Sequence, residues 1–130
     1  MGFVSCGGDA DNVGKTKNPL VGSWTCSESE GSWSETRTYV FNNNGTGSYR
    51  QKGRTQKESY DESCTFNYTV APTGDNSGII KVVYVSGNYA EQHLTIGKDY
   101  YYSYNINGNT LFLNKAYGYG ETSIETLTRR

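Results

Sequence analysis

The sequence is poor in the residues that build helices, membrane spans and common catalytic centres. Its 130 residues include one histidine, two prolines and three cysteines. Good helix formers are scarce beside many threonines, tyrosines and glycines, which argues against a helical bundle. No apolar run approaches the roughly 20 residues of a transmembrane helix. The net charge of −1 leaves no basic excess, so we expect no nucleic-acid partner.

Catalytic and metal-binding motifs are equally scarce. With His93 as the only histidine, the sequence cannot form a histidine-pair metal site. It contains no C-x-x-C, G-x-S-x-G, S-x-x-K, Walker or dinucleotide-binding motif. We therefore expect a single domain without enzyme activity, and no catalytic residue, metal site or cofactor.

Short alternating segments separated by turn residues fill the chain from residue 18 onward. They predict nine strands, at 22–27, 33–41, 46–51, 64–70, 79–86, 92–96, 100–106, 111–115 and 122–128. A turn signal about every ten residues is typical of an antiparallel sheet built in sequence order. We expect an all-β fold, an up-and-down meander closed into a barrel of eight or nine strands, because closure removes exposed edges.

The turn at Asn107-Gly108 predicts the pairing of two neighbouring strands. This dipeptide is typical of a two-residue type I′ loop. Such a loop would place Leu111 opposite Tyr104 and put the apolar residues of both strands on one face. By the same register Leu113 would lie opposite Tyr102.

The asparagine-rich turn at 42–45 allows a loop of two or three residues. The three-residue loop needs a left-handed Gly45 and places Tyr39 opposite Tyr49. The two-residue loop at Asn44-Gly45 would instead place Phe41 opposite Ser48. We prefer the longer loop because it gathers the aromatic residues on one face.

Alternation along the strands predicts one dry and one wet face. The expected inward residues are Trp24, Cys26, Tyr39, Phe41, Tyr49, Cys64, Phe66, Tyr68, Val70, Ile80, Val82, Tyr84, Leu94, Ile96, Tyr100, Tyr102, Tyr104, Leu111 and Leu113. The opposite face is mostly polar. Because each buried tyrosine hydroxyl needs a partner, this set indicates a hydrogen-bonded interior or a half-polar lumen.

The aromatic interior predicts a binding site for a small, partly apolar molecule. The expected ligand-binding residues are Trp33, Arg37, Tyr39, Tyr49, Tyr68, Tyr84 and Tyr102. Arg37 could reach the barrel mouth and pair with a ligand carboxylate, or it could be solvated at a twisted strand end. The alternative function is a filled barrel whose loops, at 27–34 or 117–120, bind a protein or a glycan.

The first residues resemble the end of a bacterial lipoprotein signal. In Phe3-Val4-Ser5-Cys6, an apolar residue, a smaller residue and a serine precede a cysteine of the kind that is acylated. We expect residues 1–17 to be a lipoprotein signal remnant and flexible tether, with lipidated Cys6 as the membrane attachment. The protein would then lie in the bacterial cell envelope, anchored to the outer membrane on its periplasmic or surface face. N-myristoylation is the weaker alternative, because Cys6 stands where that pattern needs serine or threonine.

Lipidation of Cys6 would leave two cysteines to pair. A disulfide between Cys26 and Cys64 would close a loop of about 40 residues and stabilise the fold by about 3–4 kcal/mol. The alternative is two buried thiols that pack as small apolar groups.

The segment N-P-L-V-G-S-W at 18–24 resembles the opening of lipocalin barrels, in which Gly-x-Trp follows a short helical turn at the closed end. Lipocalins place an arginine near the end of the last strand across that tryptophan. The resemblance therefore implies a cation–π contact between Trp24 and Arg129 or Arg130.

Two hairpins extend the resemblance to the lipocalin-like domains of small bacterial lipoproteins. They are the segments 41–47 and 104–111. Over residues 18–130 the resemblance implies a reduced lipocalin-like barrel domain that binds a small-molecule ligand without catalysis. We expect a monomer that touches the membrane only through Cys6.

Overall fold

A computed structural model describes residues 18–117 and 121–130, and over these ranges the chain forms a closed barrel of eight strands. The strands are β1 (Gly22–Glu30), β2 (Trp33–Phe41), β3 (Thr46–Arg54), β4 (Ser59–Gly74), β5 (Ser77–Ser86), β6 (Asp99–Asn107), β7 (Thr110–Tyr117) and β8 (Glu121–Arg129). Each strand pairs antiparallel with the next, and β8 pairs with β1. The predicted all-β meander barrel is confirmed. Cys6 and the predicted tether lie outside the described residues, as do residues 118–120 of the predicted loop.

The predicted strand at 92–96 is wrong. Residues 92–93 belong to a short helix, α1 (Asn88–His93), residues 94–96 lie in the loop that follows it, and β5 pairs directly with β6. Gly87 adopts φ +114° before the helix, a conformation that turns the chain across the barrel end. Ala90 of the helix is fully buried, so the segment gains its apolar contact as a helix. No helix of the described residues is long and apolar enough to cross a membrane.

The hairpin between β2 and β3 has the predicted three-residue loop. Gly45 adopts φ +87°, and Tyr39 lies opposite Tyr49. The two rings lie 4.6 Å apart between centroids. The preference for gathering aromatic residues on one face therefore selected the correct loop length.

The predicted register of the hairpin between β6 and β7 is wrong by two residues. Leu111 lies opposite Ile106, not Tyr104, and Leu113 lies opposite Tyr104. The loop consists of Gly108-Asn109, with Gly108 at φ +60°. A shift of two residues keeps every side chain on the same face, so the hydrophobic pattern could not distinguish the two registers.

The barrel interior contains most of the predicted inward residues. The buried apolar residues are Leu20, Trp24, Tyr39, Phe41, Tyr49, Cys64, Phe66, Tyr68, Ile80, Val82, Tyr84, Ala90, Tyr102, Tyr104, Ile106, Leu111, Leu113 and Leu127. Cys26, Val70, Leu94 and Tyr100 pack against this core and are partly buried. Ile96 is a correction: its side chain is 44% exposed, because it follows α1 in a loop and not in a strand.

One end of the barrel is closed by a contact between the first and last strands. The Trp24 ring is fully buried, and its Nε1 donates to the Leu20 carbonyl at 2.8 Å. The guanidinium of Arg129 lies 4.1 Å above the Trp24 ring. Its Nη1 and Nη2 donate to the carbonyls of Val21 (3.0 Å) and Pro19 (2.9 Å). The expected arginine–tryptophan contact is confirmed, and Arg129 is the residue that makes it.

The expected disulfide is not formed. Cys26 and Cys64 are both free thiols, on β1 and β4. Strands β2 and β3 lie between them in the barrel wall. Neighbouring strands are about 4.8 Å apart, so three steps around the wall exceed the Cα separation of about 7 Å that a disulfide allows.

Candidate functional site

A polar cavity opens at the end of the barrel opposite Trp24 and Arg129. This end, which we call the mouth, carries the β1–β2 and β3–β4 connections and helix α1. The cavity has a volume of about 390 Å³. It is lined by Glu28, Glu35, Arg37, Tyr49, Gln51, Tyr89, Lys115, Ser123, Ile124 and Glu125. Carboxylates, cations, hydroxyls and one amide thus make up most of its wall.

A buried ion pair lies at the base of the mouth. Lys115 and Glu125, on the neighbouring strands β7 and β8, are each only 8% exposed. The Lys115 ammonium contacts Glu125 Oε1 and donates to the Tyr39 hydroxyl at 2.6 Å. Tyr39 in turn donates to Glu125 Oε1 at 2.9 Å. The three side chains therefore form a closed hydrogen-bonded triangle.

Arg37 links this triangle to the rim of the mouth. Its Nε donates to Glu125 Oε2 at 2.7 Å, and its Nη1 contacts Glu35 at 2.6 Å and Glu28 at 2.7 Å. Its Nη2 faces the sulfur of Cys26 at 3.5 Å. Three carboxylates therefore hold one guanidinium through charge-assisted contacts.

A chain of hydrogen bonds continues from Glu35 along the rim. The Tyr60 hydroxyl donates to Glu35 Oε2 at 2.5 Å and accepts from Trp33 Nε1 at 3.3 Å. Both Glu35 oxygens thus have donors, one from Arg37 and one from Tyr60. The position of Glu35 is fixed by strands β2 and β4 together.

Aromatic rings form the other side of the mouth. The Tyr49 hydroxyl donates to Gln51 Oε1 at 2.8 Å, and the rings of Tyr49 and Tyr89 lie 4.7 Å apart between centroids. Tyr89 comes from α1, so a helix that was not predicted from the sequence supplies part of the cavity wall. The Lys115 ammonium lies 5.9 Å from the Tyr49 ring, within cation–π range.

The network sets the protonation of its members. Burial alone would raise the pKa of Glu125, but the Lys115 charge and the hydrogen bonds from Lys115, Arg37 and Tyr39 outweigh it and lower that pKa. Burial raises the pKa of Tyr39 well above its ordinary value, and burial also raises that of Tyr49. Around neutral pH the mouth therefore holds an ionised carboxylate beside neutral phenols.

The predicted ligand-binding residues do not form one site. Arg37, Tyr39 and Tyr49 belong to the mouth network, and Trp33 lies on its rim. The others are elsewhere in the barrel.

Tyr84 and Tyr102 lie in the interior, where their hydroxyls share a hydrogen bond of 2.8 Å. Tyr68 lies toward the closed end and donates to the Asn42 carbonyl at 2.6 Å. The Phe41 ring packs 5.2 Å from that of Tyr68. These three tyrosines satisfy their hydroxyls within the protein and build the core.

The sequence analysis missed the two charged residues at the base of the mouth. Lys115 continues the inward alternation of Leu111 and Leu113, and Glu125 precedes the buried Leu127 by two residues. Their opposite charges at inward positions on consecutive strands were the signal that could have identified the pair.

A second, less polar cavity lies at the closed end. Its volume is about 300 Å³, and it is lined by Asn18, Pro19, Val70, Pro72, Gly74, Asp75 and Tyr104. The described residues contain no group of three or more histidine, cysteine, aspartate or glutamate side chains placed to hold a metal.

No protein-family model, curated protein or solved structure matches this chain.

Proposed function

We propose that the protein binds a small hydrophilic molecule at the barrel mouth and does not transform it. The observation that carries the proposal is the open cavity of about 390 Å³ with a wall of charged and hydroxyl-bearing side chains. Ligand sites commonly occupy about 300–1,000 Å³ and use a few well-placed polar groups for specificity. The cavity fits that size range.

The rigidity of the wall supports binding. Glu125 is fixed by Lys115, Tyr39 and Arg37, and Arg37 is fixed by three carboxylates. Side chains that are already ordered lose little conformational entropy when a ligand arrives. The free protein thus holds its polar groups in place for recognition.

The packing below the mouth favours a ligand that stays near the rim. Neighbouring rings among Tyr39, Phe41, Tyr49, Phe66, Tyr68 and Tyr84 have centroids 4.6–6.3 Å apart. A ligand that entered deeply would have to separate these contacts. We therefore place the ligand in the mouth, with its apolar part limited to what the Tyr49 and Tyr89 rings can cover.

An NMR screen tests this function. In ¹H–¹⁵N spectra, small hydrophilic compounds that bind should shift the amides of Arg37, Tyr49, Lys115 and Glu125. The variant Ser123→Trp fills the cavity from its wall and should abolish these shifts. Thr126→Trp is the matched control, because Thr126 is exposed on the same strand. Shifts that persist in Ser123→Trp, or that map to the closed end, would refute the mouth as the site.

We also propose that a lipid on Cys6 anchors the barrel in the bacterial cell envelope. The support is the Phe3-Val4-Ser5-Cys6 pattern, since two or more acyl chains on one cysteine give a stable membrane anchor. Mass spectrometry of the full-length protein extracted from membranes should show an acylated Cys6. An unmodified Cys6 in soluble protein would refute the anchor and would leave the binding proposal intact.

A further inference from the structure

We infer that the ligand of the mouth is a small organic cation, with an ammonium or guanidinium group directed at the exposed carboxylate of Glu28, beside Glu35. This inference rests on the proposed function and adds the chemical class of the ligand. The inference depends on which charged side chains of the cavity already have partners within the protein and which remain accessible to a ligand.

The cationic side chains of the cavity are committed to internal partners. Arg37 contacts Glu28, Glu35 and Glu125, and Lys115 contacts Glu125 and Tyr39. A ligand carboxylate would have to displace one of these charge-assisted contacts to bind either cation. The expectation that Arg37 serves as an anchor for a ligand carboxylate is therefore disfavoured.

The carboxylate side of the cavity has one exposed acceptor, Glu28. Among the described charged side chains that line the cavity, three are carboxylates and two are cations, which gives these side chains a net charge of −1. Within the described residues Glu28 makes one ion pair, with Arg37, and its side chain remains 51% exposed. Glu35 contacts the same Arg37 nitrogen, but both its oxygens have donors and its side chain is only 10% exposed. A ligand donor at this point would therefore meet the Glu28 carboxylate, with the charge of Glu35 close by.

The aromatic part of the wall suits the same class of ligand. The Tyr49 and Tyr89 rings line the cavity next to the carboxylates. Tyrosine faces attract cations through the ring quadrupole, and the attraction grows when water is partly excluded. A compact amine with one ring or a short apolar chain would use both the carboxylates and the rings within about 390 Å³.

Three probes with one skeleton and different charge test the inference. Tyramine, tyrosol and 4-hydroxyphenylacetate carry a cation, a neutral hydroxyl and a carboxylate on the same phenol. Titrations of the protein at pH 7 and low salt, followed by ¹H–¹⁵N NMR, should show saturable shifts at the mouth with tyramine. Tyrosol and 4-hydroxyphenylacetate should bind at least about tenfold more weakly.

The outcomes separate the two proposals. Tighter binding of tyrosol or 4-hydroxyphenylacetate at the mouth would overturn the cation inference and leave the binding function standing. If none of the three probes shifts the NMR amide signals of the mouth residues, the cation inference is wrong. The broader screen of hydrophilic compounds, with Ser123→Trp as its variant, then decides the binding function separately.

A charge-neutral variant provides the residue-level check. Glu28→Gln should weaken tyramine binding by about three- to tenfold and leave the melting temperature nearly unchanged, because Glu28 is half exposed. Glu58→Gln is the matched control, since Glu58 is exposed near the same end and does not line the cavity. Equal tyramine affinity in the two variants would overturn the role of Glu28.

Discussion

The guanidinium of Arg129 lies 4.1 Å above the ring of Trp24 and ties the last strand of the barrel to the first. In the part of the chain that the structure describes, β1 and β8 pair at Trp24 with Arg129 and at Thr25 with Thr128, and the Arg130 amide donates to the Ser23 carbonyl. Arg129 also holds the chain before β1 through the carbonyls of Val21 and Pro19. One side chain therefore stabilises the junction between β1 and β8, where the barrel closes.

We predict that Arg129→Lys destabilises the barrel by about 1–3 kcal/mol, because lysine cannot stack as a planar group while donating to two carbonyls. Urea unfolding followed by tryptophan fluorescence measures the change. Arg130→Lys is the matched control and should have little effect, because the exposed Arg130 is held by its backbone amide, which donates to Ser23. Equal stability of the two variants would contradict the claim that the Arg129 side chain stabilises the junction between β1 and β8.

The buried ion pair should show strong energetic coupling. Glu125→Gln leaves the Lys115 ammonium buried without a counter-charge and should cost about 3–5 kcal/mol. The double variant Lys115→Met/Glu125→Gln removes that charge and should recover part of the loss. A double-mutant cycle in urea measures the coupling. Strictly additive losses would show that the two side chains do not interact.

Acid should weaken the fold through the same carboxylate. The folded state lowers the pKa of Glu125 below the ordinary value of 4.5, so below that pH the unfolded chain binds the proton more readily. The stabilisation is complete above pH 4.5 and is lost as the pH falls through the lowered pKa. The difference in unfolding free energy between the parent and Glu125→Gln should therefore shrink from pH 6 to pH 3. A difference in unfolding free energy that stays constant over this pH range would contradict the lowered pKa of Glu125.

The thiols should be free, and one should be protected. Burial raises the pKa of Cys64 to about 11, and burial also raises the pKa of the half-buried Cys26. In a Cys6→Ser variant, Ellman's reagent should find two thiols in the unfolded, unreduced protein. The folded protein at pH 8 should react slowly at Cys64. Thiols that appear in the unfolded protein only after reduction would show a disulfide.

The fold could be predicted from the sequence because strands and turns leave local signals. The loop at Gly45 followed from the need to gather Tyr39 and Tyr49 on one face. The register at Gly108 could not be predicted in this way, because a shift of two residues leaves each side chain on the same face of the sheet. The segment after Gly87 became a helix through its contact with the barrel end, which local alternation does not encode.

The candidate site was only partly predictable. Arg37 and Tyr49, which both line the cavity, were identified because the apolar and polar residues of β2 and β3 alternate clearly. Lys115 and Glu125 were missed because the predicted inward set contained only apolar residues, aromatic residues and cysteines, although both charged residues stand at inward positions. Their burial depends on partners that are distant in sequence, such as Tyr39.

The most direct test of the account is a crystal structure of the protein grown with tyramine. We predict density in the mouth, with the ammonium within hydrogen-bonding distance of Glu28 and the Arg37–Glu125 contact intact. Tyramine bound only at the closed end or on the outer wall, with an undisturbed mouth, would contradict it.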